Sequence, residues 1–110
     1  MIAPTASFKD NLALLPPIDG LSHIELLDAT GTVLARIENK PGKQGSLAVY
    51  HYLAQMFGAL DAQAATYAIA LFAEHSLDAK ARPGAHPNID RLFEITQGAP
   101  AQTLRVVAKV

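Results

Sequence analysis

The sequence predicts an α+β fold, a three-stranded antiparallel sheet packed by about four helices in the order αββαααβ. Three observations predict it. Ser22–Asp28 and Thr32–Glu38 flank the turn sequence Asp28-Ala29-Thr30-Gly31, which suits a type I turn closed by a left-handed glycine. Thr103–Val110 alternates, with Leu104, Val106, Ala108 and Val110 on one face and Thr103, Arg105, Val107 and Lys109 on the other. Between these strands the chain shows helical spacing punctuated by glycine and proline stops.

The elements follow in order. Phe8, Leu12 and Leu15 fall on one helical face over Ser7–Leu15, and Pro16-Pro17 ends the run. In the hairpin, Val33, Ala35 and Ile37 share a face with Ile24 and Leu26. After the loop Asn39–Gly45, Ser46 is the expected N-cap of a helix over Leu47–Phe57, with Gly58 as its stop. Asp61 caps the next helix, expected to run unbroken from about Ala62 to Ala81 before Pro83-Gly84. Pro87 opens a further helix carrying Ile89, Leu92, Phe93 and Thr96, and Gly98 and Pro100 stop it. The C-terminal strand is placed beside the first strand of the hairpin, although the order with the hairpin's second strand in the centre also fits. Without repeat, low-complexity tract or linker, residues 1–110 read as one α+β domain.

Composition narrows the function. The net charge of −1 lacks the basic footprint of a general nucleic-acid binder. The chain has no cysteine, which removes disulfides, zinc–thiolate sites and thiol nucleophiles. The longest uncharged run, Leu47–Leu60, falls short of the ~18 residues of a membrane helix. Met1–Gly20 lacks the basic start and long apolar core of a signal peptide, so the expected location is cytoplasmic.

Charged residues make up 17% of the chain, below the ~25% of an average globular protein, so some apolar surface is expected to need a partner. From Leu47 to Ala73 the only charge is Asp61. Each of the two helices there has two apolar stripes, and the sheet can cover one of each pair. Homodimerisation through Ala65, Ile69, Phe72 and Ala73 is the leading expectation. The plainer alternative is that the first and last helices wrap the pair. A non-enzymatic interaction module acting as a homodimer, with a further protein partner in view and no membrane or nucleic acid, follows from the first reading.

Two polar features stand apart. In an unbroken helix Glu74, His75 and Asp78 share one sector with Arg82, and His86 and Asp90 come soon after. Histidine with carboxylate suits a divalent metal such as Zn²⁺, Mn²⁺ or Fe²⁺, or an acid–base pair. That set defines the alternative, a small metal-dependent or acid–base enzyme; the leading reading needs no cofactor. The spacing matches no recognised motif. The plainer account comes first, with Asp78–Arg82 as an i, i+4 pair and Asp90 at a helix start. The second feature is the loop at Lys43, Gly45 and Ser46, where free N–H groups of a helix start lie beside lysines and could hold a phosphate or carboxylate. It is not a P-loop.

The segments Pro41–Tyr50, Glu74–Ala79 and Pro83–Leu92 resemble a family of small bacterial proteins of unknown function. The resemblance spans most of the chain. It implies bacterial origin and a stand-alone domain, and transfers no catalytic residue.

Overall fold

The structure, a computed structural model, describes all residues from Met1 to Val110. Helix α1 (Phe8–Ala13) starts at Ser7, whose hydroxyl accepts the Asp10 N–H at 3.3 Å. Strands β1 (Leu21–Leu27) and β2 (Val33–Glu38) form the expected hairpin. Its turn is held by Asp28, whose Oδ1 accepts the N–H groups of Thr30 and Thr32 and the Thr30 hydroxyl at 2.7–3.0 Å. Gly31 takes φ +87°, as the turn sequence required. The register pairs Ile24 with Ile37 and Leu26 with Ala35, so these side chains share a face.

Helix α2 (Gln44–Phe57) begins ahead of the expected cap. Lys43 is the N-cap, no side chain caps the first turn, and Ser46 lies inside it. The preceding turn, in which Lys43 N–H bonds the Lys40 carbonyl at 2.9 Å, already sets the helical course before Ser46 is reached. Gly58 stops the helix at φ +78°, a conformation that favours a residue without Cβ.

Two elements depart from expectation. Strand β3 (Ala59–Leu60) adds a fourth strand, and the sheet order is β2-β1-β4-β3, with β4 (Gln102–Ala108) beside β1. A two-residue strand is too short to show alternation; the free edge of β4 selects it. Because β3 reaches only Gln102 and Thr103, the remainder of β4 is an edge. Leu104 is buried there, while Val106 and Ala108 stay exposed.

The second departure is a broken helix. Asp61 caps α3 (Ala62–Phe72) through the Ala64 N–H at 2.8 Å, as expected. The helix then breaks at Ala73, which takes φ +51° and ψ −118°, and resumes as α4 (Glu74–Ala81). Helix α5 (Pro87–Thr96) follows, making five helices.

The core lies between the inner sheet face and the helices. Ile24, Leu26, Ile37 and Leu104 meet Leu47, Tyr50 and Leu53 of α2, Ala68 and Leu71 of α3, and Ile89, Leu92 and Ile95 of α5. The second apolar stripe of α3 is covered in part within the chain. Ala65 is fully buried, and Phe72 is 3% exposed with Phe8 stacked on it at 5.4 Å between ring centroids. Ile69 and Ala73 are half-buried. Of the four residues of the expected association surface, Ala65 and Phe72 are thus buried within the chain, and Ile69 and Ala73 keep partial exposure. On the other side of the sheet Glu25 is buried between Arg36 at 3.2 Å and Arg105 at 2.7 Å, one on each neighbouring strand.

Candidate anion-binding cleft

The start of α2 is built by its loop. Asn39 donates to the carbonyls of Ile18 and Leu21 at 3.0 and 2.8 Å and accepts from Gln44 at 3.0 Å, which pins the loop to the end of the hairpin. The first-turn N–H groups of a 14-residue helix are left without a side-chain cap, so its positive end is free. Gly45 serves a different purpose from the one its loop position suggests. A Cβ there would come within 3.1 Å of the Phe8 ring, so the glycine admits α1 against the start of α2.

Across from this helix start lie the break between α3 and α4 and the start of α5. Together they enclose a cleft of about 810 Å³. Its apolar wall includes Phe8, Leu12 and Phe72, and its polar wall includes Lys43, Ser46, His75, His86, Asn88 and Arg91. No Asp or Glu lines it.

Arg91 is the best-prepared cation. Its Nη1 donates to the Tyr50 hydroxyl at 3.0 Å and to Asn88 Oδ1 at 3.0 Å, and its guanidinium sits 5.7 Å from the Tyr50 ring centre. Tyr50 in turn donates to the Asn88 carbonyl at 2.5 Å. Burial pushes the Tyr50 hydroxyl up to about 12, so it remains a neutral partner. Arg91 is thus oriented entirely by uncharged groups, and its charge is not neutralised by a carboxylate. Arg36 also borders the cleft, but its guanidinium is bound to Glu25.

The model of the family DUF2322, described as an uncharacterized protein conserved in bacteria, matches residues 8–106. The chain belongs to this family. No curated protein and no solved structure matches it. The DUF2322 match starts at Phe8 and extends beyond Arg91, so it takes in every residue of the cleft.

The two polar features of the sequence meet here in part. Lys43, Gly45, Ser46, His75 and His86 of this DUF2322 chain all line one cleft, and the His75 and His86 rings lie 5.8 Å apart. The three carboxylates do not line the cleft, and each has a partner of its own. Glu74 accepts the Phe8 N–H at 2.6 Å, which caps α1 and draws the carboxyl below its ordinary value. Asp90 accepts the Gly84 N–H at 3.0 Å and closes the Pro-Gly turn. Asp78 pairs with Arg82 and lies 2.6 Å from His86 Nε2, and those two partners hold its carboxyl well below the usual range. No three metal-ligating side chains gather in the structure. Glu74, His75 and Asp78 still share the continuous helix α4, but the two carboxylates are held by the Phe8 N–H and by Arg82 and His86.

Sequence reasoning missed Arg91, Tyr50 and Phe8. Asn88 and Arg91 stand at i, i+3 on one helix and their pairing was legible. Tyr50 lies 41 residues away, and no local pattern connects it to them.

Proposed function

We propose that this protein binds a small anionic molecule, one bearing a phosphate or carboxylate group, in the cleft between α1, α2 and α5. The carrying observation is Arg91, a guanidinium fixed by Tyr50 and Asn88 and left with its full charge. Lys43 and the uncapped start of α2 add positive potential to the same space. Fixed donors already in place cost little ordering on binding. Phe8, Leu12 and Phe72 supply a dry wall for an apolar part of the same molecule.

Thermal unfolding in increasing inorganic phosphate tests this reading. A ligand at a hundred times its Kd stabilises the folded state by about 2.7 kcal/mol. Wild type is expected to show a saturable rise in Tm, and Arg91→Ala is expected to lose it. An equal rise in both proteins, or none in wild type, removes the reading.

One observation favours a second reading. His86 lines the cleft and meets Asp78 at 2.6 Å, the arrangement in which a carboxylate orients an imidazole for acid–base chemistry. Turnover of an activated phosphate or carboxylate ester by wild type, abolished in His86→Gln, would carry it. Equal background rates in both would leave a binding protein only.

A further inference from the structure

The wall of the cleft is held in place by a segment remote in sequence. Asn11 on α1 is fully buried, and its amide donates to the Leu71 carbonyl at 2.9 Å, a carbonyl freed where α3 ends. Its Oδ1 accepts the N–H and hydroxyl of Thr5 at 2.8 Å, which ties it to its own segment. From the other side, Glu74 at the start of α4 caps α1 through the Phe8 N–H. Phe8 stacks on Phe72 and meets His75 edge-on, with 5.0 Å between the Phe8 and His75 ring centres. Ser76 donates to the Ile69 carbonyl at 2.7 Å and satisfies a second freed group. The N-terminus is tied down as well, with the Ile2 N–H bonded to the Tyr52 hydroxyl at 2.8 Å and its carbonyl accepting from Tyr67.

No residue between Ala62 and Ala81 is a helix breaker, and alanine is the strongest helix former. Ala73 nevertheless holds a positive φ that alanine avoids. Left to local preference, the segment would run as one helix. The bonds from Asn11, Glu74 and Ser76 oppose that preference, and two of the three come from or lead to α1.

We propose that α1 is a clasp: its docking breaks the Ala62–Ala81 helix at Ala73, and the break positions His75 and Phe72 in the cleft. With α1 undocked, α3 and α4 rejoin as one helix and the cleft loses Phe8, Leu12 and its His75 wall. A ligand in the cleft then selects the docked, broken form. The ligand part rests on the anion-binding reading above; the clasp does not.

The chain has no cysteine, so cysteines introduced at the exposed positions Gln63 and Lys80 can carry the only pair of spin labels. An unbroken helix separates these Cα atoms by about 25 Å at roughly 1.5 Å per residue; the broken form brings them closer. Asn11→Ala is expected to raise the ratio of long to short distances roughly tenfold, since a buried bond is lost. Adding Ala73→Gly to that variant is expected to restore the short distance, because glycine accepts the break conformation. If Asn11→Ala does not fold, recovery of the folded, short-distance protein in the double variant supports the clasp equally. One distance unmoved by Asn11→Ala overturns it. A distribution that answers to Asn11→Ala but not to inorganic phosphate keeps the clasp and removes its coupling to the anion site, which the Arg91→Ala comparison tests separately.

Discussion

Asn11 and Ala73 show how one side chain can override a segment's local preference. Asn11 would be costly to bury unpaired, yet all its hydrogen-bonding groups are engaged, and one of them satisfies a carbonyl that the broken helix leaves free. His51 on α2 is the opposite case. Its Nδ1 is buried with no partner, and burial lowers the imidazole pKa below its ordinary value of 6.5. The sign follows directly: the unfolded chain takes up a proton at this site before the folded chain does. Stability from neutral His51 is therefore full above 6.5 and lost as pH falls through the lower folded value. Denaturant midpoints measured below pH 6.5 are expected to decline in wild type; His51→Leu is expected to remove that part of the decline. An identical pH profile in the variant would show that another group is responsible.

At the scale of elements, the packing of α1 on α2 depends on a missing methyl group. In an ordinary exposed helix, Gly→Ala gains about 1 kcal/mol. Gly45→Ala should not, because the new Cβ would press on the Phe8 ring at 3.1 Å. Pairing it with Phe8→Ala frees the space, so the Gly45→Ala change is expected to stabilise that background by roughly 0.5–1 kcal/mol while being neutral or harmful in wild type. Additive effects in the double-mutant cycle, measured by urea unfolding, would mean that the two residues do not meet. The same approach explains why the loop glycine was legible only as a loop feature: its neighbour comes from a different element, across the chain. Ser46 erred in the other direction. A good capping residue was present, but the turn at Lys40–Lys43 had already begun the helix.

For the whole molecule, the distribution of carboxylates matters more than the net charge. Glu25, Asp28, Glu38, Glu74 and Asp78 all have depressed pKa values. For Glu25 the leading cause is the hydrogen bond from Arg105, for Glu38 the one from Lys40, and for Glu74 the N–H of Phe8. Each contributes stability that is present above the ordinary values of 4.5 for glutamate and 3.8 for aspartate. That stability is lost as pH falls through the lower folded values. Acid unfolding followed by circular dichroism is expected to begin below the ordinary glutamate value, and Glu25→Gln is expected to flatten the slope there. A slope unchanged by that substitution would show that the Arg36–Glu25–Arg105 bridge across three strands contributes nothing. The interior tells a similar story of internal satisfaction. The apolar stripes of α3 read as surplus when the helices are counted singly, yet Ala65 and Phe72 are buried once the chain is closed, Phe72 under the Phe8 ring of α1.

The sequence by itself determined what short-range chemistry controls. Asp61 caps its helix, Gly58 ends one, Asp28–Gly31 turns the hairpin, and alternation puts Ile37 with Ile24 and Leu26 on the core face. Only the tertiary structure decided the two-residue β3, the break at Ala73 and the gathering of Lys43, His75, His86 and Arg91 around one cleft. The physical reason is the reach of the signals. Periodicity and capping act over a few residues, whereas Asn11 meets Leu71 across 60 residues of chain and Phe8 meets Glu74 across 66. Such pairings form when packed elements leave specific backbone groups unsatisfied, and no local pattern records which distant side chain will satisfy them.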